Sequence, residues 1–516
     1  MSGPFNRIGD VRRSNLPYVN VQWLGAGPER TGAENRAIMQ YALDNYLVVL
    51  FGGHRMQFDV AGKLVVRNNH RLLFEGARLT QKTNNMQLFD CDGKTGIEAT
   101  GGVFYGVGDD FNNSSTLMDC FRALGVGTIK LVDNEFHNFA GCPVNATGAT
   151  SFVFERNKVR GPVHMLVPIT SGTCCGPVAD GASSNVRIIG NDISGVSQGI
   201  VVSNNNVSVT ISDNQIHGVV GQHGMYLGSG IKGLTIKGNT LDTISLQGIK
   251  IQQHDSYGQP CEDVSITGNS IRGCGSHGIL LTSTSGTQSH RLNGVVVTGN
   301  TISNSGGDGI QAGYVTDGSI ANNTIRGGRD GIRVTALDTV SIEANKIRGT
   351  AANGIRELAA CTDCDIINNR INDCCTSNTV NEEHGIYLTA GSNWRVWDNK
   401  IRDAAANMRY GIFSSTINQP TCSFRNNEVT GASDYGARFY GTSTAIAELS
   451  GNNLAGGSGP TLNEPTIVIR CSPRSFRGSA APADGTYRRG DIVWHSTPAA
   501  AGTSGWVCTT AGTPGT

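Results

Sequence analysis

The chain has 516 residues, with 41 basic and 41 acidic side chains and 69 glycines, while aromatic residues make up only 6%. This balance gives no overall basic field and therefore predicts no nucleic-acid partner. No apolar run reaches the ~18 residues of a membrane-spanning helix, and the first residues lack the apolar stretch of a signal peptide. We expect a protein made in a cytoplasm that stays there or leaves by a route other than the secretory signal.

The first residues of the chain, 1–20, are polar and unpatterned, which is typical of an attachment segment. Residues 21–58 are expected to hold one helix, over 32–46, followed by the first strand. The helix has one apolar face that would close the open end of a repeat structure. The residues of that face are Ala37, Ile38, Tyr41, Ala42 and Tyr46.

Residues 59–456 repeat one pattern, seen in "GNTISNSGGDGIQAGY" (299–314) and again in "NNTIRGGRDGIRVTA" (322–336). An Asn is followed two residues later by an apolar residue, and then by a Gly-Ile pair. The shortest steps between these Asn residues are 22 to 25 residues, a period that indicates a repeat architecture. The Asn residues are Asn134, Asn157, Asn191, Asn214, Asn239, Asn269, Asn300, Asn323, Asn345, Asn369, Asn399, Asn427 and Asn452.

The segments between these Asn residues alternate apolar and polar residues, as in "VSVTISDNQI" (207–216). Alternation with a period of two indicates strands. Short strands repeated at this spacing predict an all-β fold, a single-stranded, right-handed parallel β-helix roughly 70 to 80 Å long. Asn tolerates the left-handed bend between strands, and its amides can hydrogen-bond from coil to coil. The apolar partners are expected to stack as an aliphatic core.

Fourteen cysteines are present, including the CxxC pair Cys361 and Cys364 and two vicinal pairs. A zinc site would need a second such pair or histidines at regular spacing. We therefore interpret the cysteines as reduced, small apolar core residues. Neither a metal nor a cofactor is expected.

Two stretches resemble known families. "VNVQWLGAGPERTGAENRAIMQYALDNYLVVLFGGHRMQF" (19–58) resembles the opening of pectate-lyase-like proteins, and with the repeats this likeness covers about residues 19–455. After a linker at 457–477, the tail 478–516 resembles the small C-terminal β module of phage tailspikes and tail fibres. Its spaced residues are Gly485, Tyr487, Gly490, Asp491, Val493, Trp494, Pro498, Gly505, Trp506, Cys508 and 512–515.

This resemblance implies a tailspike-like depolymerase that binds and cleaves a bacterial surface polysaccharide, either O-antigen or capsule. It implies a homotrimer whose N-terminus faces a virion baseplate or tail protein, and so a place in the virion tail if the chain is phage-encoded. Glycoside hydrolysis is the favoured reaction. Two alternatives stay open, namely a lyase or C5-epimerase acting on a uronic-acid polymer, and an adhesin that binds a glycan without cutting it.

Two columns of residues run up the predicted rod. The turn column stands just before each repeated Gly and comprises Gln198, His223, Gln247, His277, Asp308, Asp330, Asn353, His384, Tyr410 and Tyr435. The outer column follows each inward Ile and faces outward by alternation. It comprises Val201, Tyr226, Lys250, Leu280, Gln311, Arg333, Arg356, Tyr387, Phe413 and Arg438. A mixture of cations, His and aromatic residues is typical of a sugar-binding groove.

The predicted catalytic acids are Asp308, Asp330 and Glu357. Asp308 and Asp330 lie one coil apart, so their carboxyls would be about 5 Å from each other, a spacing used by retaining glycosidases. The alternative is that each caps backbone N–H groups in a turn. Glu357 falls on an inward position, where a carboxylate needs partners. Glu382 and Glu383 are acids of an inserted loop that could overhang the groove.

The predicted substrate-binding residues are Lys250, Gln311, Arg333, Arg356, His384 and Tyr387. Arg333, Arg356, His384 and Tyr387 would also suit a lyase, which needs a cation beside the developing anion and a group that moves the proton. His223 and His254 are interpreted as ordinary surface or turn histidines. Insertions at 161–184, 251–263 and 282–294 would form the rim of the groove.

Overall fold

The computed structural model describes residues 18–53, 56–83, 86–107, 119–161, 178–254, 259–284, 291–377, 383–415, 422–440, 446–463, 468–470, 475–478, 492–495 and 504–507. These residues form three long parallel sheets that wind around one core as a right-handed β-helix. Each coil contributes one strand to sheet A, then one to sheet B and one to sheet C. The predicted fold class is confirmed.

Sheet A has 18 strands. They are Tyr18–Asn20, Val48–Leu50, Arg71–Leu73, Ile97–Thr100, Thr128–Val132, Ser151–Glu155, Ser184–Ile189, Val207–Ser212, Lys232–Lys237, Glu262–Thr267, Leu292–Thr298, Val315–Ala321, Asp338–Glu343, Asp365–Ile367, Arg395–Trp397, Ser423–Arg425, Ile446–Ser450 and Val468–Arg470.

Sheet B has 16 strands. They are Gln57–Val60, Arg78–Gln81, Val103–Tyr105, Glu135–His137, Lys158–Arg160, Asp192–Ser194, Gln215–Val219, Thr240–Ile244, Ser270–Cys274, Thr301–Ser303, Thr324–Arg326, Lys346–Arg348, Arg370–Asn372, Lys400–Arg402, Glu428–Ala432 and Asn453–Gly456.

Sheet C also has 16 strands. They are Leu64–Val65, Phe89–Asp90, Phe121–Leu124, Val144–Thr147, Val178–Asp180, Ile200–Val202, Met225–Leu227, Ile249–Gln253, Ile279–Ser283, Ile310–Gly313, Ile332–Thr335, Ile355–Ala359, His384–Leu388, Tyr410–Ser415, Tyr435–Tyr440 and Gly459–Asn463. Sixteen strands stacked at about 4.8 Å give a rod roughly 72 Å long.

The Asn ladder predicted from the repeat is present at the bend between sheets A and B. In each coil the side-chain oxygen of the Asn accepts the backbone N–H of the Asn one coil below. For Asn300 and Asn269 this N–O distance is 3.0 Å, and the Asn269 Nδ2 also donates to the same oxygen at 2.9 Å. The Asn300 Nδ2 donates to Ile266 O at 2.9 Å. The ladder therefore satisfies buried backbone groups that no strand can pair.

The reason given for Asn at this bend needs a correction. The left-handed residue is the one before the ladder Asn, such as Gly299 with a φ of 65° and Asn322 with a φ of 55°. That position carries Gly, Asn or Asp in most coils, which suits a positive φ. The ladder Asn is selected instead for its amide, which donates and accepts at once.

Replacing Asn300 with Ala should lower the free energy of unfolding by about 1 to 3 kcal/mol, because the buried N–H of Asn269 would lose its acceptor. The measurement is a denaturant titration of the purified variant. Thr301→Ala is the matched control, because Thr301 is the exposed neighbour of Asn300. Equal midpoints for the two variants would show that the ladder contributes nothing to stability.

The Gly of the repeat is required by close packing at the start of each sheet C strand. A Cβ on Gly309 would lie 2.4 Å from Ile325 Cγ2 and 2.7 Å from Gly331 O. Ile325 in turn is completely buried and pairs in register with Ile302 and Ile347. The repeated Gly therefore makes room for the inward Ile of the next coil, and the two residues pack together in the core.

The core is aliphatic mainly in its middle coils, and Trp394, Phe424 and Phe439 are buried in the last ones. The first coils are filled by phenylalanines, with Phe51 stacked on Phe74 and Phe89 on Phe121, each with ring centroids 4.5 Å apart. The expectation of an aliphatic core throughout is therefore wrong for these coils. The rings of these coils also pack edge to face across the interior.

The predicted helix is present at Gly32–Asn45 and packs against the first strands of sheets B and C. A capping box begins it, since the Thr31 side chain accepts the Glu34 N–H and Glu34 accepts the Thr31 N–H. The buried residues are Asn35, Ile38, Met39, Ala42 and Leu43. Ala37 is exposed, so the apolar face is rotated relative to the predicted one. A short 3₁₀ helix, Val21–Leu24, precedes it.

The β-helix continues past the expected boundary at residue 456, since Gly459–Asn463 and Val468–Arg470 still pair with sheets C and A. A separate three-stranded sheet then follows, with strands Ser475–Gly478, Ile492–His495 and Gly505–Val507. It begins just before the tail module expected at 478–516. Residues 1–17 of the expected attachment segment lie outside the described residues.

Ten cysteines fall within the described residues, and all are buried as free thiols. Among these residues no group of three or more His, Cys, Asp or Glu side chains could hold a metal ion. No helix in the described part of the chain is long and apolar enough to cross a membrane.

Candidate functional site

The outer column forms a continuous stripe on sheet C. Its ten residues pair one above the other, from Val201 with Tyr226 through Arg333 with Arg356 to Phe413 with Arg438. The six intervening steps also keep register. At about 4.8 Å per coil, the stripe is roughly 43 Å long. The residues before and after each member point into the core, which gives every member an outward position.

This face is cationic. Lys250, Arg333, Arg356 and Arg438 lie on it. Along the described sheet C strands from Ile200 to Tyr440, the outward positions carry no Asp or Glu, because the one acid in these strands, Glu357, points inward and is buried. The face is therefore suited to an anionic ligand.

Four rings form an aromatic cluster toward the C-terminal end of the stripe, which we call its upper end: His384, Tyr387, Tyr410 and Phe413. The centroid of His384 lies 4.9 Å from Tyr387, 5.3 Å from Tyr410 and 4.8 Å from Phe413. Tyr387 and Phe413 are the partly exposed members, with centroids 5.2 Å apart. They offer ring faces on which a pyranose could stack.

Two arginines border the aromatic cluster. The guanidinium carbon of Arg356 lies 5.4 Å from the centroid of Tyr387. The guanidinium carbon of Arg438 lies 5.4 Å from the ring centroid of Tyr410 and 5.8 Å from that of Phe413. The Arg438 Nη1 also donates to the Tyr410 hydroxyl at 2.8 Å. Cations held against rings in this way present charge and an apolar surface side by side.

A second cluster lies lower on the same face and consists of His223, Tyr226, Lys250 and His254. The Tyr226 hydroxyl is 2.9 Å from His254 Nε2, and Lys250 Nζ lies 5.4 Å from the Tyr226 centroid. Burial lowers the pKa of Lys250. The pKa of His223 falls to about 4 because of burial and the nearby Lys250 charge. His223 thus lies in the turn column, and His254 contacts the outer column through the Tyr226 hydroxyl.

The turn column borders the stripe, and its central members form a hydrogen-bonded ladder. Asp308 Oδ1 accepts the Asp330 N–H at 3.2 Å, and Asp330 Oδ1 accepts the Asn353 N–H at 2.9 Å. Asn353 Oδ1 accepts the His384 N–H at 3.0 Å. One oxygen of each aspartate is therefore a backbone cap, as the capping interpretation expects.

The second oxygen of Asp308 faces two basic groups. Oδ2 lies 3.3 Å from His277 Nδ1 and 3.5 Å from Arg333 Nη1. Burial by itself would raise the pKa of Asp308, but the contacts with His277 and Arg333 outweigh it, so the pKa lies below the ordinary value. Asp308 is therefore ionised at neutral pH.

The second oxygen of Asp330 has different surroundings. Oδ2 is buried and has no hydrogen-bond partner among the described residues. Burial raises the pKa of Asp330, and the negative charge of Asp308 adds to the shift, while the hydrogen bonds from Asn353 oppose it. The surroundings of the two aspartates thus shift their pKa values in opposite directions. Both are completely buried, with Arg333, whose side chain is 21% exposed, lying above Asp308.

Glu357 needs a correction as a catalytic candidate. It is completely buried and accepts five hydrogen bonds. Oε1 receives the Cys361 N–H and the Trp394 Nε1–H, and Oε2 receives the N–H groups of residues 389–391. A carboxylate saturated by fixed donors has no free oxygen for chemistry. Glu357 serves to hold a turn, which explains the inward acid that alternation predicts.

The structure brings Arg333, Arg356, His384 and Tyr387 together on three consecutive coils. Lys250 stands three coils below Arg333, and Gln311 one coil below it. Glu383 is buried at the edge of the aromatic cluster, while Glu382 and the central parts of the three insertions lie outside the described residues.

Eight members of these clusters stand outside the predicted site: His223, Tyr226, His254, His277, Asn353, Tyr410, Phe413 and Arg438. All except His254 occupy the turn column or the outer column, so position in a column is the signal that identifies them. A carboxylate or a cation draws attention in a sequence, whereas a ring or an amide does so only when its neighbours above and below are known.

Comparison with known proteins concerns the fold. Residues 257–378 match the family model described as a right handed beta helix region, and residues 177–293 match that of NosD, a periplasmic copper-binding protein. No curated protein matches the chain by sequence. A mutant tailspike protein of E. coli bacteriophage HK620, solved with a pentasaccharide, superposes with a TM-score of 0.50 at 12% identity, over 88% of this chain and 80% of that one.

The chain has the β-helix fold of a tailspike protein. The resemblance predicted from its sequence is thereby confirmed at the level of fold. Two epimerases match less well. The periplasmic alginate epimerase AlgG has a TM-score of 0.41 at 11% identity, covering 73% of this chain and 82% of its own. A mannuronan C-5 epimerase A-module of Azotobacter vinelandii has a TM-score of 0.29 at 15% identity, covering 88% of this chain and 100% of its own.

The buried histidines of this β-helix predict acid lability. Burial lowers the pKa of His384 from 6.5 to about 3. Between these values the unfolded chain binds a proton that the folded chain excludes, so stability falls as the pH drops below 6.5. His384→Gln should therefore flatten the dependence of the melting temperature on pH between 6.5 and 4, compared with the wild type. An unaltered slope in His384→Gln would contradict the buried neutral ring.

Proposed function

We propose that this protein binds an acidic bacterial surface polysaccharide along the outer column of sheet C and cleaves it. The observation that carries the proposal is the composition of that face. Cations and partly exposed rings stand in register over ten coils, and acids are absent from the described outward positions. The proposal agrees with the tailspike solved in complex with a pentasaccharide.

The length of the stripe favours a polymer over a small sugar. The Tyr226 cluster and the aromatic cluster lie six coils apart, from the strand Met225–Leu227 to the strand His384–Leu388, which is roughly 29 Å. A single monosaccharide would contact one cluster only. A chain laid along the axis would meet both clusters and the cations between them, so its affinity should rise with its length.

Glycoside hydrolysis is the reaction we favour, with Asp308 and Asp330 as the pair of carboxyls. A hydrolase needs one protonated acid and one ionised carboxylate. The environment supports this division, because the pKa of Asp330 is raised and that of Asp308 is lowered. Asp330 would donate its proton to the glycosidic oxygen as the bond to the anomeric carbon breaks. Asp308 would attack that carbon or deprotonate the attacking water.

This mechanism requires a movement of Arg333. Both carboxyls are buried in the free protein, so a sugar reaches them only if the guanidinium above Asp308 turns aside. A negatively charged substrate would provide the new partner for Arg333, which couples binding to access. Neutral glycans would leave Arg333 on Asp308 and should remain uncut.

Elimination or epimerisation of a uronic-acid polymer is the second candidate. It is favoured by the absence of acids from the described outward positions of sheet C and by the neighbouring Arg356, Tyr387 and His384. The low pKa of His384 keeps its ring neutral. In this reaction a cation stabilises the anion beside the carboxylate, and a Tyr or His moves the proton.

A panel of purified bacterial polysaccharides, acidic and neutral, tests the proposal. Acidic chains should bind and be shortened, with new reducing ends and no ultraviolet absorbance from unsaturated sugars. Shortened products that do absorb would replace hydrolysis by elimination. Bound chains that stay full length would make the protein an adhesin, and binding of neutral chains alone would contradict the charge argument.

We also propose that the protein is a homotrimer attached by its N-terminal segment to a virion baseplate or tail protein. Support comes from the tailspike fold and from the long exposed strand faces of a single β-helix. Light scattering at micromolar concentration should give three chains per particle. A monomer would contradict the assembly without affecting the argument for the glycan-binding face.

A further inference from the structure

A second cationic surface lies on sheet B, on a different face from the outer column. Six exposed cations occupy the outward positions of four consecutive strands, from Thr324–Arg326 to Lys400–Arg402. We call this set the basic stripe. Its members are Arg326, Lys346, Arg348, Arg370, Lys400 and Arg402.

The basic stripe consists of two parallel rows. In one row Lys346 pairs with Arg370 and Arg370 with Lys400, on strands that follow one another. In the other row Arg326 pairs with Arg348, and after Asn372 comes Arg402. The charges therefore repeat at about 4.8 Å along the rod, with the rows two residues apart. The rows end at Ser303 below and at Glu428 and Thr430 above.

Few acids neutralise the stripe. Arg348 lies 3.5 Å from Asp373, and Lys400 lies 3.9 Å from Glu428. The other four members have no ion pair with any described residue. Lower on sheet B the pattern is different, since Lys158 pairs with Glu135 at 2.7 Å and Arg272 with Asp242 at 2.5 Å.

Such an accumulation of like charge stands out in a chain whose net charge is zero. Like charges on neighbouring strands repel one another and are destabilising. A helix or sheet that only needs solubility mixes both signs, as the lower coils of sheet B do. In the four strands of the basic stripe the cations of neighbouring strands repel one another, and a bound polyanion would neutralise this repulsion.

We propose that the basic stripe is a second binding surface, and that its occupant is an extended acidic polysaccharide lying parallel to the rod axis. Straight rows of evenly spaced cations match a linear polymer whose charges also repeat at a short, regular distance. The stripe occupies the same coils as Arg333, Arg356 and the aromatic cluster on sheet C. Chains of the surface polysaccharide that the outer column is proposed to bind would thus also be held on sheet B, and this step rests on that proposed function.

The composition of the stripe distinguishes this occupant from others. The described outward residues of these four strands include no aromatic side chain, whereas single-stranded nucleic acids are held by base stacking on rings. A neutral glycan would also need such rings. A stripe of exposed, long cationic side chains without an apolar centre is unlike the core of a protein interface.

The test measures binding of dextran sulfate, with uncharged dextran as the matched probe, to the full-length protein. The variant carries Arg326→Gln, Lys346→Gln, Arg370→Gln and Arg402→Gln, all at exposed positions. Its affinity for dextran sulfate should fall at least about tenfold, with the largest loss at low salt. Uncharged dextran should not bind to either protein.

The control removes the same charge from the lower coils of sheet B, through Arg78→Gln, Lys158→Gln, Arg160→Gln and Arg272→Gln. It should bind like the wild type, as should a charge-keeping variant with Arg326→Lys, Arg370→Lys and Arg402→Lys. Repeating the comparison in an Arg333→Gln/Arg356→Gln background separates this surface from the outer column, because the effect of the stripe should persist there.

Several outcomes would overturn the proposal. Equal losses in the stripe variant and the control would show that only net charge matters. Tighter binding of double-stranded DNA than of dextran sulfate, lost in the stripe variant, would assign the surface to nucleic acid. A change in the number of chains per particle in the variant would assign it to a contact between copies. Absence of dextran sulfate binding by the wild type would remove the site altogether.

Discussion

Changing Asp330 to Asn should lower the rate of polysaccharide cleavage by about 10²- to 10⁴-fold while leaving binding of the polysaccharide intact. Asn keeps the size of the side chain and an oxygen that can accept the Asn353 N–H, but it has no proton to donate. Loss of a general acid typically costs this factor. Asp308→Asn should have a similar effect, because it removes the ionised partner. Reducing ends released per folded molecule are the measurement.

The matched control for this experiment is Asp119→Asn. Asp119 is also buried, has a pKa raised by burial to about 6, and accepts the Cys142 N–H at 3.0 Å, but its coil lies eight coils from that of Asp330. It should lower the melting temperature and leave cleavage unchanged. If Asp330→Asn behaves in the same way, the ladder of acids is a set of caps, and Arg356→Ala and Tyr387→Phe should then be the inactive variants of a lyase.

Replacing Ile325 with Asp should destabilise the fold by more than about 4 kcal/mol, because it would place a carboxylate in an aliphatic stack without a partner. Ile325 is completely buried between Ile302 and Ile347. Since each coil rests on the next, the damage should spread to neighbouring coils. Denaturant midpoint and yield of soluble protein report the effect.

The control for the core substitution is Thr324→Asp, one residue earlier and on the outward face beside Lys346. It should fold with nearly the stability of the wild type. Normal melting of Ile325→Asp, or equal damage from both variants, would contradict the assignment of inward and outward positions in sheet B.

The repeat made most of the fold predictable from sequence. A period of about 23 residues with alternation inside it determines which residues share a face and which lie one coil apart, so the Asn ladder and both columns follow from counting. The same counting applied to sheet B would have found the basic stripe, since Lys346 and Arg348 flank an inward Ile in the pattern that exposes Arg333 on sheet C.

Alternation does not determine how deeply a side chain is buried. Asp308 and Asp330 stand in the predicted column, yet both are buried, and the Arg333 side chain on the neighbouring outward position reaches Asp308. Glu357 was correctly placed inward, but its five donors come from a turn at 389–391 and from Cys361 and Trp394, which no local pattern connects to it. Contacts between side chains of different coils depend on rotamers, and rotamers are set by packing.

The measurement that tests the central claim most directly is the affinity of the Arg333→Gln/Arg356→Gln variant for an acidic polysaccharide that the wild type binds. The two substitutions keep a polar side chain and remove two charges from the middle of the outer column. A matched variant, Lys130→Gln/Arg187→Gln, removes two charges from the outer face of sheet A, where both side chains are ion-paired. Per folded molecule, the outer-column variant should bind at least about tenfold more weakly, and the sheet A variant should bind normally. Equal affinity in both variants would contradict a glycan-binding role for the outer face of sheet C.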